Sequence, residues 1–267
     1  MTIKIIVCGA GGRMGGRIIA CSRSEPDLEI VGAVDRPGHP DLGRDAGELS
    51  GAGNIDCPLS DSLAAVIDRG DVVIDFSAPE AAAENAAGAA AGGKSLVVGT
   101  TGIGPEEERK LRAATAGIAC VYSPNMSVGV NLLFRLVGET AEALGDAYDV
   151  EIVEAHHRLK KDAPSGTAKK IAEIAAGALH RDPAEASVYG REGLVGERTR
   201  EEIGIHAVRA GDIVGEHTVI FSAPGERLEL IHRAHSRDTF ARGALRAARF
   251  AAAAGPGFYS MRDVLGI

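Results

Sequence analysis

The sequence predicts an α/β protein of two domains, a parallel sheet flanked by helices and a second α+β domain with a mixed sheet. Three observations predict it. Short Val/Ile-rich runs alternate with helical stretches through the first half, the pattern that crossover-connected parallel strands require. A glycine-rich turn directly follows the first of those runs and opens a helix. Beyond about Asn125 the alternation gives way to longer β-rich runs in succession, as in a mixed or antiparallel sheet.

In the first half, Ile3 to Val7, Glu29 to Val34, Val72 to Phe76, Ser95 to Val98 and Ile118 to Tyr122 read as strands, and their continuous aliphatic content fits burial on both faces. Between them, Met14 to Ser22, Ser62 to Asp68, Pro79 to Ala91 and Pro105 to Thr115 read as helices. The second half opens with a helix over Val128 to Leu144 and a strand over Tyr148 to Ala155, and a loop then leads into a helix that starts near Ser165. Strands over Glu202 to Arg209, Ile213 to Ser222 and Arg227 to Ala234 follow, the last two joined by the turn Ala223-Pro224-Gly225. The stretch Thr239 to Ala254 is helical, with an Ala-rich face suited to packing back on the first domain. The expected domains are therefore 1–127 with 237–267, and 128–236.

Composition narrows the function. A hydrophobic share of 45% in 267 residues suits ordinary globular cores. The net charge of -8 leaves no broad basic face, which argues against nucleic acid as a partner. Cys8, Cys21, Cys57 and Cys120 have neither CxxC nor metal-ligand spacing and read as buried small residues in a reducing cytoplasm. The apolar run at the start is too short for a signal segment, and the Ala-rich stretch Ala81 to Gly92 is too short to span a bilayer, so no membrane role is expected. No metal is expected either: HExxH is absent, and His232 and His235 read as strand-end or surface residues.

Gly9, Gly12 and Gly15 stand where glycines permit a tight turn and close approach of backbone to a pyrophosphate lying at a positive helix N-terminus. Their GxxGxxG spacing is a variant of the GxGxxG pattern, and in this strand-turn-helix context it predicts a Rossmann-like nucleotide domain. The second strand ends in Asp35-Arg36. The carboxylate suits the adenosine ribose of NADH, and the guanidinium suits a 2′-phosphate, so use of both NADH and NADPH is the expectation, with a surface charge pair as the plainer alternative. Gly99-Thr100-Thr101-Gly102 and Ser123-Pro124-Asn125-Met126 follow later strands, where nucleotide folds bind ligands; as isolated strings they are ordinary loops.

The second domain gathers His156, His157, Arg158, Lys160 and Lys161 at the end of a strand, ahead of Pro164-Ser165-Gly166-Thr167 at a helix start. Orphan N–H groups and the helix dipole favour an anion there, which suits a small carboxylated substrate. A histidine can donate a proton near neutral pH, and a lysine can balance carboxylate charge or assist the transfer. The plainer alternative is a solvated charged loop with Ser165 as a helix cap.

The ordered set GAGGRMG, VIDFSAPEA, VVGTTG, SPNMSVGVN, EAHHRLKKDAPSGTA and HRAHSRDTFARGAL resembles the 4-hydroxy-tetrahydrodipicolinate reductase (dihydrodipicolinate reductase) family over essentially the whole chain. The resemblance implies reduction of 4-hydroxy-tetrahydrodipicolinate to tetrahydrodipicolinate with loss of water, by NADH or NADPH, in the diaminopimelate route to lysine. It implies cofactor contacts at Gly9, Ala10, Gly11, Gly12, Arg13, Met14, Asp35, Arg36, Gly99, Thr100, Thr101, Ser123, Pro124, Asn125 and Met126. His156 would be the proton donor and Lys160 its catalytic partner, while His157, Ser165, Gly166 and Thr167 would hold the carboxylates of a small dicarboxylate substrate. A homotetramer assembled through the second domain's sheets is also implied, and a hinge near 126–128 and 236–238 would close the domains. Two positions depart from the family pattern: Leu159 stands where some members carry histidine, and Asp35 where many carry glutamate. The competing readings are another two-domain amino-acid dehydrogenase and a non-catalytic NADH sensor.

Overall fold

A computed structural model describes residues 2–267. The Val/Ile runs of the first half form β1 (Ile3–Cys8), β2 (Leu28–Val34), β3 (Leu59–Ser60), β4 (Val72–Asp75), β5 (Ser95–Val98) and β6 (Ala119–Tyr122). Between them lie α1 (Arg13–Ser22), α2 (Ala46–Ser50), α3 (Pro79–Ala91) and α4 (Pro105–Ala114). Next come α5 (Val128–Leu144), β7 (Asp149–His156), α6 (Gly166–Ala178), α7 (Pro183–Ala186), β8 (Ser187–Tyr189), β9 (Ile203–Arg209), β10 (Gly215–Ala223) and β11 (Glu226–Ala234). The chain ends with α8 (Asp238–Ala253), β12 (Gly257–Tyr259) and α9 (Met261–Leu265).

Two compact units result among the described residues, 2–128 with 237–267, and 129–236. In the first, seven strands run in the order β12-β6-β5-β4-β1-β2-β3, and every pairing is parallel. From β3 to β6 this is the 3-2-1-4-5-6 order of dinucleotide-binding sheets. Ile5, Ile6, Val7, Val72, Val73 and Ile74 are fully buried, as strands covered on both faces must be. Helix α8 packs Ala241, Ala244, Leu245, Ala247, Ala248 and Ala251 into this unit's core, where small side chains let it lie close to the sheet. Ion pairs of Arg17 with Asp238 (2.7 Å) and of Arg249 with Asp27 and Glu25 (2.6 Å) tie it at both ends. Such exposed pairs contribute little beside burial.

One expected helix is absent. Residues 62–68 make turns, with a single 3₁₀ turn at Ile67–Arg69. Gly70 ends the segment in an extended conformation, and Val66 and Ile67 anchor it in the core.

In the second unit the order is β11-β10-β7-β9-β8. The first three strands pair antiparallel and the last three parallel, a mixed sheet. The β10–β11 hairpin turns on Pro224 and Gly225 alone, since Ala223 and Glu226 already pair; Gly225 takes φ +93°, which suits glycine. Along β7, Val150, Ile152, Glu154 and His156 alternate inward against α5 and α6, and Glu151, Val153 and Ala155 face the opposite side of the sheet.

Candidate functional site

Parallel strands place their carboxyl ends on one edge, so the loops after β2, β1, β4, β5 and β6 stand side by side there. The turn after β1 needs its glycines. Gly9 has φ +75°, and a Cβ on it would lie 2.5 Å from the Phe76 carbonyl oxygen. A Cβ on Gly15 would overlap the Gly9 carbonyl oxygen, and one on Gly11 would lie 2.7 Å from the His39 ring. Gly12 begins α1, whose N-terminus has no side-chain cap and no acidic residue in its first turn. The positive end of the helix dipole therefore stands there without a side-chain cap or a first-turn carboxylate to offset it.

That cleft has a volume of about 660 Å³, and Gly9, Gly11, Gly12, Asp35, Arg36 and His39 are among its lining residues. Asp35 Oδ2 accepts from the Gly11 N–H at 2.9 Å and Oδ1 from the Arg36 N–H at 2.8 Å, which fixes the carboxylate beside the turn with lone pairs left for a ribose. Cys8 also lines the cleft, and its thiol is held well above its usual range, by burial first and by Asp75 second. A glycine-lined helix start and a fixed carboxylate in one cleft fit a dinucleotide.

The other predicted cofactor residues extend along the same sheet edge. Asp75, fully buried at the end of β4, accepts from the Ser77 N–H (2.7 Å), Asn85 Nδ2 (3.0 Å) and Thr100 Oγ1 (3.2 Å), joining the loops after β4 and β5. Gly99 passes flat against the Phe76 ring, while Thr101 is exposed. After β6, Ser123 Oγ donates to the Asn125 carbonyl at 2.8 Å, Asn125 Oδ1 accepts from the Ser127 N–H at 2.9 Å, and Pro124 is exposed. Ala10 and the Met126 side chain are packed in the core, so each offers only backbone to a ligand; Arg13 is exposed and Met14 half-buried.

A second constellation lies within the C-terminal unit. Glu154 is fully buried, and its Oε2 lies 2.5 Å from His156 Nδ1. Arg209 donates to both oxygens at 2.8 Å, and the Ser165 N–H donates to Oε1 at 3.0 Å. Burial raises the Glu154 pKa, yet these bonds outweigh it and hold the carboxyl at about 2. His217, paired opposite Glu154 in β10, places Nε2 3.1 Å from Ser165 Oγ, with its ring edge-on to His156 at 5.3 Å between centroids. Burial, then the neighbouring His156 charge, pushes its pKa down to about 3. Gly215 leaves room beside His156: a Cβ there would lie 3.1 Å from Nε2.

Ser165 caps α6, its Oγ accepting from the Ala168 N–H at 3.2 Å. Its hydroxyl and N–H are thus engaged by protein, and Gly166 and Thr167 follow it in the first turn of the helix. Lys160 Nζ pairs with Asp162 at 2.9 Å, and His157 is half-buried beside it in the same loop. His39, Arg209 and His217 lie outside every motif of the sequence, and Asp75 and Glu154, though inside motifs, gain their partners only in the fold.

A parallel sheet with a glycine-lined helix start at its carboxyl edge, carried in one chain with a buried carboxylate-histidine cluster, defines a two-domain dinucleotide-binding oxidoreductase. Family models described as dihydrodipicolinate reductase, N-terminus, and dihydrodipicolinate reductase, C-terminus, match residues 3–126 and 129–265. A 4-hydroxy-tetrahydrodipicolinate reductase of Citrifermentans bemidjiense is 53% identical over 265 residues, covering 99% of each chain. Its counterpart in an Anaeromyxobacter species is 54% identical over 265 residues, 99% of this chain and 98% of that one. A solved structure of dipicolinate-bound dihydrodipicolinate reductase from a Paenisporosarcina species shares the fold, with a TM-score of 0.76 at 23% identity over 97% of this chain and 98% of that chain. The chain belongs to the dihydrodipicolinate reductase family.

Proposed function

We infer that the chain reduces 4-hydroxy-tetrahydrodipicolinate to tetrahydrodipicolinate, releasing water, in the diaminopimelate route to lysine. The observation that carries this reading is His156, paired with buried Glu154 in the same cluster as an anion-binding helix start. One hydride and one proton enter the substrate and one water leaves. A reduced nicotinamide, when bound, would supply the hydride. His156 donates the proton from Nε2, beside the space left by Gly215. Gly166 and Thr167 hold one carboxylate with helix-start N–H groups, and His157 and Lys160 balance the dicarboxylate's charge.

The N-terminal unit is the cofactor domain. The turn Gly9 to Met14, with Asp35 and Arg36, holds the pyrophosphate and adenosine ribose, and the loops at Gly99 to Thr101 and Ser123 to Met126 receive the nicotinamide half. Asp35 accepts from the ribose of NADH while exposed Arg36 meets the 2′-phosphate of NADPH, so both cofactors serve. The C-terminal unit binds substrate and assembles a homotetramer through the sheet face that α5 and α6 leave open. Four free, buried cysteines suit the reducing cytoplasm.

The test couples the chain to a synthase that generates the labile substrate, and follows NADH and NADPH oxidation separately. Turnover with both is expected, with kcat/KM values within roughly a hundredfold, about 2.7 kcal/mol. A larger preference ends the dual-cofactor reading. Tight cofactor binding without turnover ends the enzymatic one in favour of a sensor.

A further inference from the structure

The proton donor does not stand alone. Glu154 lies two residues before His156 on β7, so period-2 alternation points both side chains to the same buried side of the sheet. Its carboxylate has four polar partners: His156 Nδ1 at 2.5 Å, Arg209 on each oxygen at 2.8 Å, and the Ser165 N–H at 3.0 Å. A buried carboxylate held by one guanidinium is already charge-balanced, so it needs no second cation to be stable there. The bond to His156 therefore calls for a reason beyond satisfying Glu154.

We propose that Glu154 is a positioning residue for the reaction: it takes the Nδ1–H of His156, leaves Nε2 to deliver the proton, and ties that imidazole to the helix start that receives a substrate carboxylate. The proposal rests on His156 being the donor. A ring held at one nitrogen by a fixed carboxylate has one orientation and one reactive nitrogen, the arrangement in which an acidic side chain serves a histidine without itself changing protonation. The surroundings are consistent with this division of labour. His217, edge-on to His156, stays neutral under burial, so a proton on His156 meets no second imidazolium. Arg209 is itself fixed through the Asp162 carbonyl at 2.7 Å, at the end of the same loop that carries Lys160. The Ser165 N–H bond places donor and carboxylate site on one anchor, so substrate docking at the helix start and ring alignment share a rigid frame.

The test is a cycle of Glu154→Gln, His156→Ala and the double variant in the full-length chain, with kcat, KM and the pH profile measured for each. Glu154→Gln is expected to lower kcat by about 10–100-fold, the usual effect of removing a histidine's outer partner, with substrate KM changed less than about threefold. The neutral amide no longer balances an imidazolium, so the limb on which kcat falls with rising pH moves to lower pH. In the His156→Ala background the same substitution should change kcat by less than about threefold, because its target is gone. Equal losses in both backgrounds, or an unshifted pH limb, overturn the role of Glu154 while leaving His156 as donor. An unchanged kcat in His156→Ala overturns the donor assignment itself. Should Glu154→Gln not fold, ¹⁵N-histidine NMR of the unaltered chain decides. A protonated Nδ1 on His156 that is protected from exchange supports the proposal, and an unprotonated Nδ1 overturns it.

Discussion

His217 is 3% exposed, and its Nδ1 has no hydrogen-bond partner among the described residues. Its folded pKa of about 3 lies below the ordinary 6.5, so between those values the unfolded chain binds a proton that the folded chain refuses. Its contribution is complete above pH 6.5 and is lost as pH falls toward 3. Burial lowers the pKa of His232 as well, and Glu154 acts in the same sense from pH 4.5 down to about 2. Melting measured between pH 7.5 and 5 should show Tm falling with pH, and less steeply in His217→Gln, which keeps a partner for Ser165 but cannot titrate. Parallel curves for the two proteins would remove His217 as a source of acid sensitivity. His156 and Lys160 stand out in the sequence because they sit in one contiguous basic string. Glu154, Arg209 and His217 meet only through the register of three strands, across separations of up to 63 residues that local patterns do not encode. One signal was available: Glu154 shares the inward parity of Val150 and Ile152, and a carboxylate on a buried parity demands partners.

At the scale of elements, strands with continuous aliphatic content were legible almost to the residue, because burial on both faces leaves little freedom in composition. Short pieces such as β3, β8 and β12 were not, since two or three residues carry no period and exist only by pairing with a neighbour. Helix α8 was legible from its Ala-rich face, but its contact with the segment before α5 was not. There Gly243 touches the Met126 backbone, and a Cβ would overlap that carbonyl oxygen. Gly→Ala inside a helix ordinarily stabilises by up to about 1 kcal/mol. At Gly243 the steric term, about 1–3 kcal/mol for overpacking against backbone, exceeds it, so Gly243→Ala should lower Tm. Gly177 in α6 is the counter-case, with nothing within 4 Å of its added Cβ, and Gly177→Ala should hold or raise Tm. Calorimetry of both variants checks the pair; a stabilised Gly243→Ala would mean that α8 shifts freely.

For the whole molecule, the long strand β11 poses a problem that the chain alone does not solve. Six of its nine residues are exposed, among them Leu228 at 44% and Ile231 at 45%, and one edge is unpaired among the described residues. A long exposed edge beside apolar side chains invites pairing with another chain, and proteins commonly blunt or cover such edges. On the sheet face opposite α5 and α6, Ile231 pairs across to Thr218, which pairs with Val153, so an uncharged strip with an aliphatic residue at each end crosses three strands. Charged neighbours flank it, with Arg233 bonded to Glu216 at 3.3 Å, the polar rim expected around a protein interface. The proposed homotetramer buries this strip, and light scattering at micromolar concentration should return a mass four times the 27.5 kDa of the chain. Ile231→Glu places an unpaired carboxylate in the contact, where desolvation penalises assembly and leaves the fold of an exposed position intact. That variant should run as a smaller species with an unchanged circular dichroism spectrum. A monomeric parent protein would end the assembly proposal, whereas a tetramer that survives Ile231→Glu would move its interface away from β11.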